Sequence, residues 1–328
     1  MACACKDQPV NENISENYDA VTPEITLILS GVNSEDYPTT LADKEFSRLV
    51  KIKSKGRIKV EVHIDGELYT QESDEVEALK SGEISFARLS CDTLESYVPK
   101  MKVFKLPYIF KDRAHMWKVL NCSIGQSILA ELQASGSGLV GLAYYDIGSR
   151  NFYTTTSVYS ADDLSGLKIR TQNVALMKDV ASALEATPIT GIGPKLILSK
   201  IKEGTIDGAE SNLWSYYSNN DYEVAKYYCY DGHIRVPDVL VASEKTLKSL
   251  SDEDIKIIKD AAKESQLHEI EEWTKKEESI VEDLIEQGVV FYTPTEAEWQ
   301  GFKNKMSSLY TSYGAGYETL IEEINAVE

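Results

Sequence analysis

The first part of the chain alternates short apolar runs with segments of helical spacing. Residues 25–29 are a continuous apolar run typical of a buried strand, and residues 57–62 alternate polar and apolar side chains, which indicates a strand with one buried face. Apolar residues in 40–53 recur at helical spacing between these two strands. Residues 73–80 then predict a second helix and residues 84–89 a third strand. This order is typical of a largely parallel sheet with helices on its faces.

A second series of the same kind begins near residue 139. It predicts strands at 139–145, 167–171 and 206–209, with helices at 174–184 and 196–201. Two similar α/β series in one chain suggest two lobes. Because ligands of open parallel sheets bind beyond the carboxyl ends of the strands, we expect a binding cleft between the lobes.

One long helical pattern follows the second series. Ser251 and Asp254 resemble a capping box, apolar residues then recur at three-to-four spacing, and Gly288 ends the run. A single helix from Ser251 to Gln287 would reach about 50 Å and could span both lobes. The alternative is two helices with a break near residues 264–269.

The composition of the 328 residues narrows the function. Hydrophobic residues make up 42% and charged residues 27%, so a folded core is expected. The net charge of −19 excludes nucleic-acid or anionic-membrane binding through a general basic face. The same charge repels anionic ligands at long range, so capture of an anion has to depend on a few local cations. No apolar run is long enough to span a bilayer.

The N-terminal residues predict a tether and an attachment point. Residues 6–17 are a polar tract with almost no apolar side chains, and a small residue precedes Cys5. This arrangement resembles the end of a lipoprotein processing site, so a lipid anchor at Cys5 or Cys3 is predicted. The alternative is that these cysteines have no role. The other three cysteines have no metal or redox spacing and are interpreted as inert buried thiols: Cys91, Cys122 and Cys229.

Catalytic signatures are missing from the sequence. It contains no zinc-protease, serine-hydrolase or P-loop motif, and its four histidines are scattered without ligand spacing. We therefore predict no catalytic residue, no metal and no cofactor.

Arginines are the better functional clue, because a guanidinium matches a carboxylate through two parallel hydrogen bonds. Four of them fall at predicted strand ends: Arg88, Arg150, Arg170 and Arg235. Taken singly, each is more often part of a surface ion pair. The 19 tyrosines against 7 phenylalanines add weak support for a sugar-like ligand with apolar faces and polar edges.

Several motifs together resemble one known family. Residues 167–173 (LKIRTQN) and 206–212 (IDGAESN) look like the signature pair of the DctP family, the extracytoplasmic solute receptors of tripartite ATP-independent periplasmic (TRAP) transporters. The likeness extends to residues 56–58, 106–110 and 236–240.

The resemblance implies a two-lobe, periplasmic-binding-protein-like α/β fold. Its lobes enclose a cleft, strands that cross between them form the hinge, and a long helix braces both. We place lobe I at 25–147 and 236–276, lobe II at 148–235 and 277–328, and a flexible tether at 1–24.

The resemblance also implies a carboxylate clamp. Arg170 matches an essential arginine that pairs with the ligand carboxylate through two hydrogen bonds, and Arg150 matches an auxiliary arginine. Asn173 matches a side chain that supports the same carboxylate. Ser211 stands where relatives often carry asparagine, which leaves its contact open and makes the adjacent Asn212 the alternative.

A second group would hold the polar remainder of the ligand. Asp238 matches a position that contacts the far end of the ligand, and Glu72 matches an acidic residue that accepts hydroxyl groups. Arg88 and His233 could serve the same hydroxyl groups. Tyr37 stands where a histidine is frequent and could still donate to a hydroxyl.

Three further segments resemble the branch that binds hexuronates such as glucuronate and galacturonate: 115–120, 146–153 and 222–228. The implied function is a monomeric, extracytoplasmic receptor that closes around a hexuronate and delivers it to a membrane permease, without nucleic-acid partners. Two alternatives stay open. One is a receptor for a dicarboxylate or another sugar acid. The other is a carboxylate-processing enzyme with Glu72 or Asp238 as general base.

Overall fold

The computed structural model describes residues 18–328 of the chain. The predicted tether, 1–24, is therefore described only from residue 18 onward. Cys3 and Cys5, the predicted attachment points for a lipid, lie outside the described residues.

The first sheet has five strands in the order β2-β1-β3-β10-β4. Their bounds are β1 (Ile25–Ser30), β2 (Ile58–His63), β3 (Phe86–Ser90), β4 (Leu139–Tyr145) and β10 (Asp238–Ser243). The second sheet has six strands in the order β11-β9-β5-β8-β6-β7. Their bounds are β5 (Arg150–Thr154), β6 (Lys168–Arg170), β7 (Thr187–Ile189), β8 (Gly208–Ser211), β9 (Tyr227–Ile234) and β11 (Val290–Tyr292).

Helices cover the sheets and connect successive strands. Their bounds are α1 (Pro38–Lys53), α2 (Glu72–Ser81), α3 (Cys91–Leu94), α4 (Arg113–Asn121), α5 (Ser123–Ala134), α6 (Ala175–Ala183), α7 (Ile197–Lys202), α8 (Leu213–Ser218), α9 (Glu244–Leu247), α10 (Asp252–Glu286), α11 (Glu296–Lys305), α12 (Ser307–Tyr313) and α13 (Glu318–Asn325).

Both sheets are mixed, which corrects the expectation of largely parallel sheets. The chain leaves the first sheet after β4, enters the second as β5, and returns from β9 to β10. β5 runs antiparallel to both of its neighbours, and so does β10. Sequence periodicity describes one strand at a time, so it does not report the direction in which a crossing strand enters the other sheet. These crossings form the connection between the two halves.

The helix α10 is continuous over 35 residues, which confirms the single long helix and excludes the alternative of two helices with a break near residues 264–269. Ser251 caps it by accepting a hydrogen bond from the Asp254 amide, and Gly288, with φ of 79°, follows its end. Early residues of α10, such as Ile258, pack in the core of the first sheet. Later residues, such as Trp273, pack in a core of the second. The helix therefore braces both halves.

The last helix, α13, packs against the first half. Ile324 of α13 is fully buried in a core cluster of the first sheet, together with Met116 and Val119 of α4. Leu320 and Ile321 pack against the same cluster. The apolar face of α13 thus covers the first half, although 277–328 was assigned to lobe II. The remaining lobe boundaries stay a prediction.

A Gly148→Ala substitution tests how closely the first crossing packs against Trp273 of α10. Gly148 has φ of 76°, and an added Cβ would lie 2.7 Å from Cζ2 of Trp273, which is 1% exposed. We expect the free energy of unfolding in urea to fall by about 2–4 kcal/mol, from backbone strain and overpacking together. Gly166 has a similar φ of 78° with open space around it, so Gly166→Ala isolates the backbone part, about 1 kcal/mol. Equal losses in the two variants would show that Trp273 moves aside.

Candidate ligand-binding site

Arg170 ends β6, at the carboxyl edge of three parallel strands, β8-β6-β7. The residue is 7% exposed, and its Nε donates a hydrogen bond to the Ile192 carbonyl at 2.9 Å. No carboxylate oxygen of residues 18–328 lies within 4.0 Å of its guanidinium. The remaining N–H groups make no hydrogen bond within the described part of the chain. Arg170 is thus a fixed, almost buried cation with donors available to an anion.

Two groups near Arg170 complete this edge of the second sheet. Burial raises the pKa of Asp221 to about 6, against the opposing effects of a hydrogen bond from the Tyr153 hydroxyl and of the Arg170 charge. Asn173 follows three residues after Arg170, on the segment between β6 and α6, with an exposed side chain. The structure thus places Asn173 on the segment that leaves Arg170.

Arg150, at the start of β5, belongs to a buried charge network. Its Nε pairs with a carboxylate oxygen of Glu210, and its Nη2 donates to the Glu210 carbonyl at 3.0 Å. His233 Nδ1 lies 2.7 Å from Asp231 Oδ2, and His233 Nε2 lies 3.7 Å from Glu210 Oε2. Burial lowers the pKa of His233, but the two carboxylates outweigh it and raise that pKa to about 9. The network therefore alternates two cations with two anions.

His233 does not reach the cleft surface in this structure. Its side chain is fully buried, and its ring stacks on Phe152 with centroids 4.4 Å apart. The predicted contact between His233 and a ligand hydroxyl therefore has no open path here. Through Glu210, His233 instead supports the position of Arg150.

Arg88, Asp238 and Glu72 meet on the first sheet. Arg88 Nη1 lies 2.5 Å from Asp238 Oδ2 and 3.3 Å from Glu72 Oε1. Glu72 Oε2 also accepts hydrogen bonds from the Ser90 hydroxyl at 2.7 Å and the Thr93 hydroxyl at 2.6 Å. Asp238 Oδ1 is buried without a hydrogen-bond partner among the described residues, and burial raises the pKa of this carboxyl to about 6. The one guanidinium of this cluster is therefore already neutralised by two carboxylates.

Tyr37 and Asn212 connect the two halves. Tyr37 directly precedes α1 on the first half, and its hydroxyl accepts a hydrogen bond from Asn212 Nδ2 at 3.2 Å. Asn212 caps α8 on the second half by accepting from the Ser215 amide at 2.9 Å. Burial and then the Asp238 charge raise the pKa of Tyr37, which places this tyrosine near the Arg88 cluster. Ser211, next to Asn212, is half-buried at the end of β8.

Sequence reasoning did not identify the carboxylates that hold the arginines. Glu210 lies inside the motif 206–212, but only its neighbours were assigned a role. The signal available was an acidic residue within a buried strand, which requires a cationic partner. Arg235, one of the four candidate arginines, pairs with Asp146 at 3.0 Å, so the ion-pair alternative applies to it.

A model of the DctP family, described as bacterial extracellular solute-binding protein, family 7, matches residues 29–315. The chain belongs to this family. The match covers both sheets except for the first four residues of β1, 25–28. It confirms the resemblance carried by the motifs 167–173 and 206–212. Members of the DctP family are solute-binding receptors, so the enzyme alternative is excluded.

Solved structures of similar proteins confirm the two-lobe fold of this DctP protein. A TRAP periplasmic solute-binding protein of Pseudomonas putida F1 with bound D-glucuronate is 32% identical with a TM-score of 0.80, covering 92% of this chain and 97% of that one. A relative by sequence is the C4-dicarboxylate-binding protein DctB of Bacillus subtilis, 28% identical over 91% of this chain and 85% of its own.

One relative has been solved in two states. The solute-binding protein of Citrobacter koseri in its apo, open structure gives a TM-score of 0.83 at 27% identity, covering 92% of this chain and 98% of that chain. The same protein with bound D-glucuronate gives 0.78 at 28% identity, with 92% and 99% covered. This DctP chain is therefore more similar to the open state.

Among the described residues, none of the helices combines the length and the apolar character that a bilayer span requires.

Proposed function

We propose that this protein is the extracytoplasmic receptor of a TRAP transporter and that its ligand is a hexuronate, glucuronate or galacturonate. The observation that carries the proposal is Arg170, an almost buried guanidinium with no carboxylate within 4.0 Å in the described chain. A buried charge of this kind is stabilised when a ligand carboxylate pairs with it through two hydrogen bonds.

The other predicted residues have two roles: some bind the ligand carboxylate and others bind the ring hydroxyl groups. Arg150 lies on the same sheet as Arg170 and assists the carboxylate clamp through its Nη1, which makes no hydrogen bond within residues 18–328. Asn173 with Ser211 or Asn212 supports the same carboxylate. The opposite half presents Asp238 and Glu72 as acceptors for ring hydroxyl groups. Ligand then favours the closed state, because only that state contacts the solute from both halves. The greater similarity to an open relative, with TM-scores of 0.83 against 0.78, supports an open starting state.

A dicarboxylate is the second candidate, favoured by the C4-dicarboxylate binding of the Bacillus subtilis relative. A second carboxylate would need a second available cation on the first half. Arg88 is the cation there, and it is paired with both Asp238 and Glu72. The orphan acceptor Asp238 Oδ1 would repel a carboxylate and would accept from a hydroxyl. The charges on the first half therefore favour a hydroxylated monocarboxylate.

A thermal-shift series tests the ligand class. At about 100 times its dissociation constant, glucuronate or galacturonate is expected to raise Tm by about 5 °C, because it binds the folded state alone. Succinate is expected to give no shift, and methyl glucoside, which lacks the carboxylate, serves as the neutral control. A shift with succinate equal to that with glucuronate would overturn the uronate assignment and favour the dicarboxylate.

We also propose where the receptor works and which proteins it works with. The receptor works outside the cytoplasmic membrane as a monomer and delivers its solute to the permease subunits of the transporter. We also propose that a lipid on Cys5 or Cys3 attaches the protein to the membrane.

A further inference from the structure

A cavity of about 720 Å³ lies beside the two segments at which the chain crosses between the sheets. Ser149 and Asn151 line it near the first crossing, and Arg235 lines it in the second. None of the residues predicted to bind the solute belongs to its wall. The volume is in the range of small-molecule sites, about 300–1,000 Å³. The cavity is therefore separate from the candidate solute site.

Two lysines in the wall have no carboxylate partner. Lys111 lies just before α4 and Lys303 in α11, and neither ammonium has a carboxylate oxygen within 4.0 Å in residues 18–328. Burial and then the charge of Lys111 lower the pKa of Lys303, and Glu296 offsets this only in part. The positive charge of Lys111 thus disfavours a second ammonium at Lys303 in the same wall. An anion placed between them would offset that effect.

Aromatic side chains form another part of the same wall. The Lys303 ammonium lies 5.2 Å from the centroid of the Trp299 ring. Tyr108 contacts the Trp299 ring edge-on at 5.1 Å and holds the indole in place. Phe110 and Tyr230 line the cavity as well. A flat apolar group would find both dispersion contacts and a cation within reach.

We propose that this hinge cavity is a second binding site, for a small organic anion that carries an aromatic or other flat apolar face. The overall charge of −19 repels anions at long range, so the two lysines supply the local attraction. Lys111 adjoins Phe110, which packs in the core of the first half, and Lys303 adjoins Phe302, which packs in a core of the second. An anion bound by both lysines therefore connects the two halves at the hinge. The proposal does not depend on the identity of the solute in the cleft.

Benzoate is the probe, and the indole N–H signals of the full chain are the measurement. The chain has four tryptophans, and the signal of Trp299 is assigned with a Trp299→Phe variant. Titration with benzoate is expected to shift the Trp299 signal saturably, whereas neutral benzamide is expected to leave it unchanged. Lys303→Gln and Lys111→Gln are each expected to weaken benzoate binding by about tenfold, because each substitution removes one ion pair with the benzoate carboxylate.

Lys276→Gln is the matched control. Lys276 also lies over an indole, 4.6 Å from the Trp214 centroid, away from the cavity wall. This variant is expected to bind benzoate as the unsubstituted protein does. No saturable change at Trp299, changes confined to Trp214 and Trp273, or equal binding by all three lysine variants would overturn the proposal. Thermal unfolding of each variant verifies that it is folded.

Discussion

Arg170→Ala is expected to abolish binding of glucuronate and galacturonate, with a loss of affinity of more than a hundredfold, or about 3–5 kcal/mol. The substitution removes an almost buried guanidinium at the carboxyl edge of β6 that has no carboxylate within 4.0 Å in residues 18–328. The ligand carboxylate would then be desolvated against the Ile192 carbonyl and other neutral groups. Calorimetry measures the dissociation constant directly.

Arg170→Lys separates charge from geometry. An ammonium is a point charge and cannot form two parallel hydrogen bonds, so we expect this variant to bind poorly as well. Lysine also lacks the Nε donor that fixes Arg170 to the Ile192 carbonyl at 2.9 Å. Arg57→Ala is the matched control, because Arg57 pairs with Asp254 at the start of α10 on the outside of the first half. Unchanged affinity in Arg170→Ala, or an equal loss in Arg57→Ala, would contradict the clamp.

The elements of the fold were predictable where the local pattern is unambiguous. The apolar run 139–145 coincides with β4, and the uninterrupted helical spacing after Ser251 corresponds to α10. Strand direction was not predictable, because β10 pairs with β3 and β4 from distant parts of the chain. The position of α13 on the first half also depends on tertiary packing of Ile324.

The site was predictable as a set of residue types, but its charge balance was not. The motif 167–173 is sufficient to single out Arg170 as the candidate clamp. Whether an arginine is available or already paired depends on the carboxylates that folding brings to it. Asp238 reaches Arg88 across 150 residues, and Glu210 reaches Arg150 across 60. Such pairs leave no local signature in sequence spacing, so only the folded chain distinguishes the available arginine from the paired ones.

Arg88→Met is expected to lower the free energy of unfolding by about 3–5 kcal/mol, measured by urea denaturation. Arg88 is 4% exposed and Asp238 is 1% exposed, so removal of the cation leaves a buried carboxylate without its partner. Glu72 loses less of its stabilisation than Asp238 does, because the Ser90 and Thr93 hydroxyl groups still donate hydrogen bonds to its Oε2. The lost stability should therefore come mainly from Asp238.

The double variant Arg88→Met with Asp238→Asn tests that origin. Asparagine has nearly the volume of aspartate and no charge, so it should restore a large part of the stability that Arg88→Met loses. Asp238→Asn alone should be milder than Arg88→Met, since Arg88 keeps Glu72 at 3.3 Å. Uronate binding should stay weak in the stabilised double variant, because asparagine offers one neutral carbonyl oxygen where aspartate offers two carboxylate oxygens. If the double variant is as unstable as Arg88→Met, the loss comes from packing of the arginine side chain and the buried pair carries little of the stability.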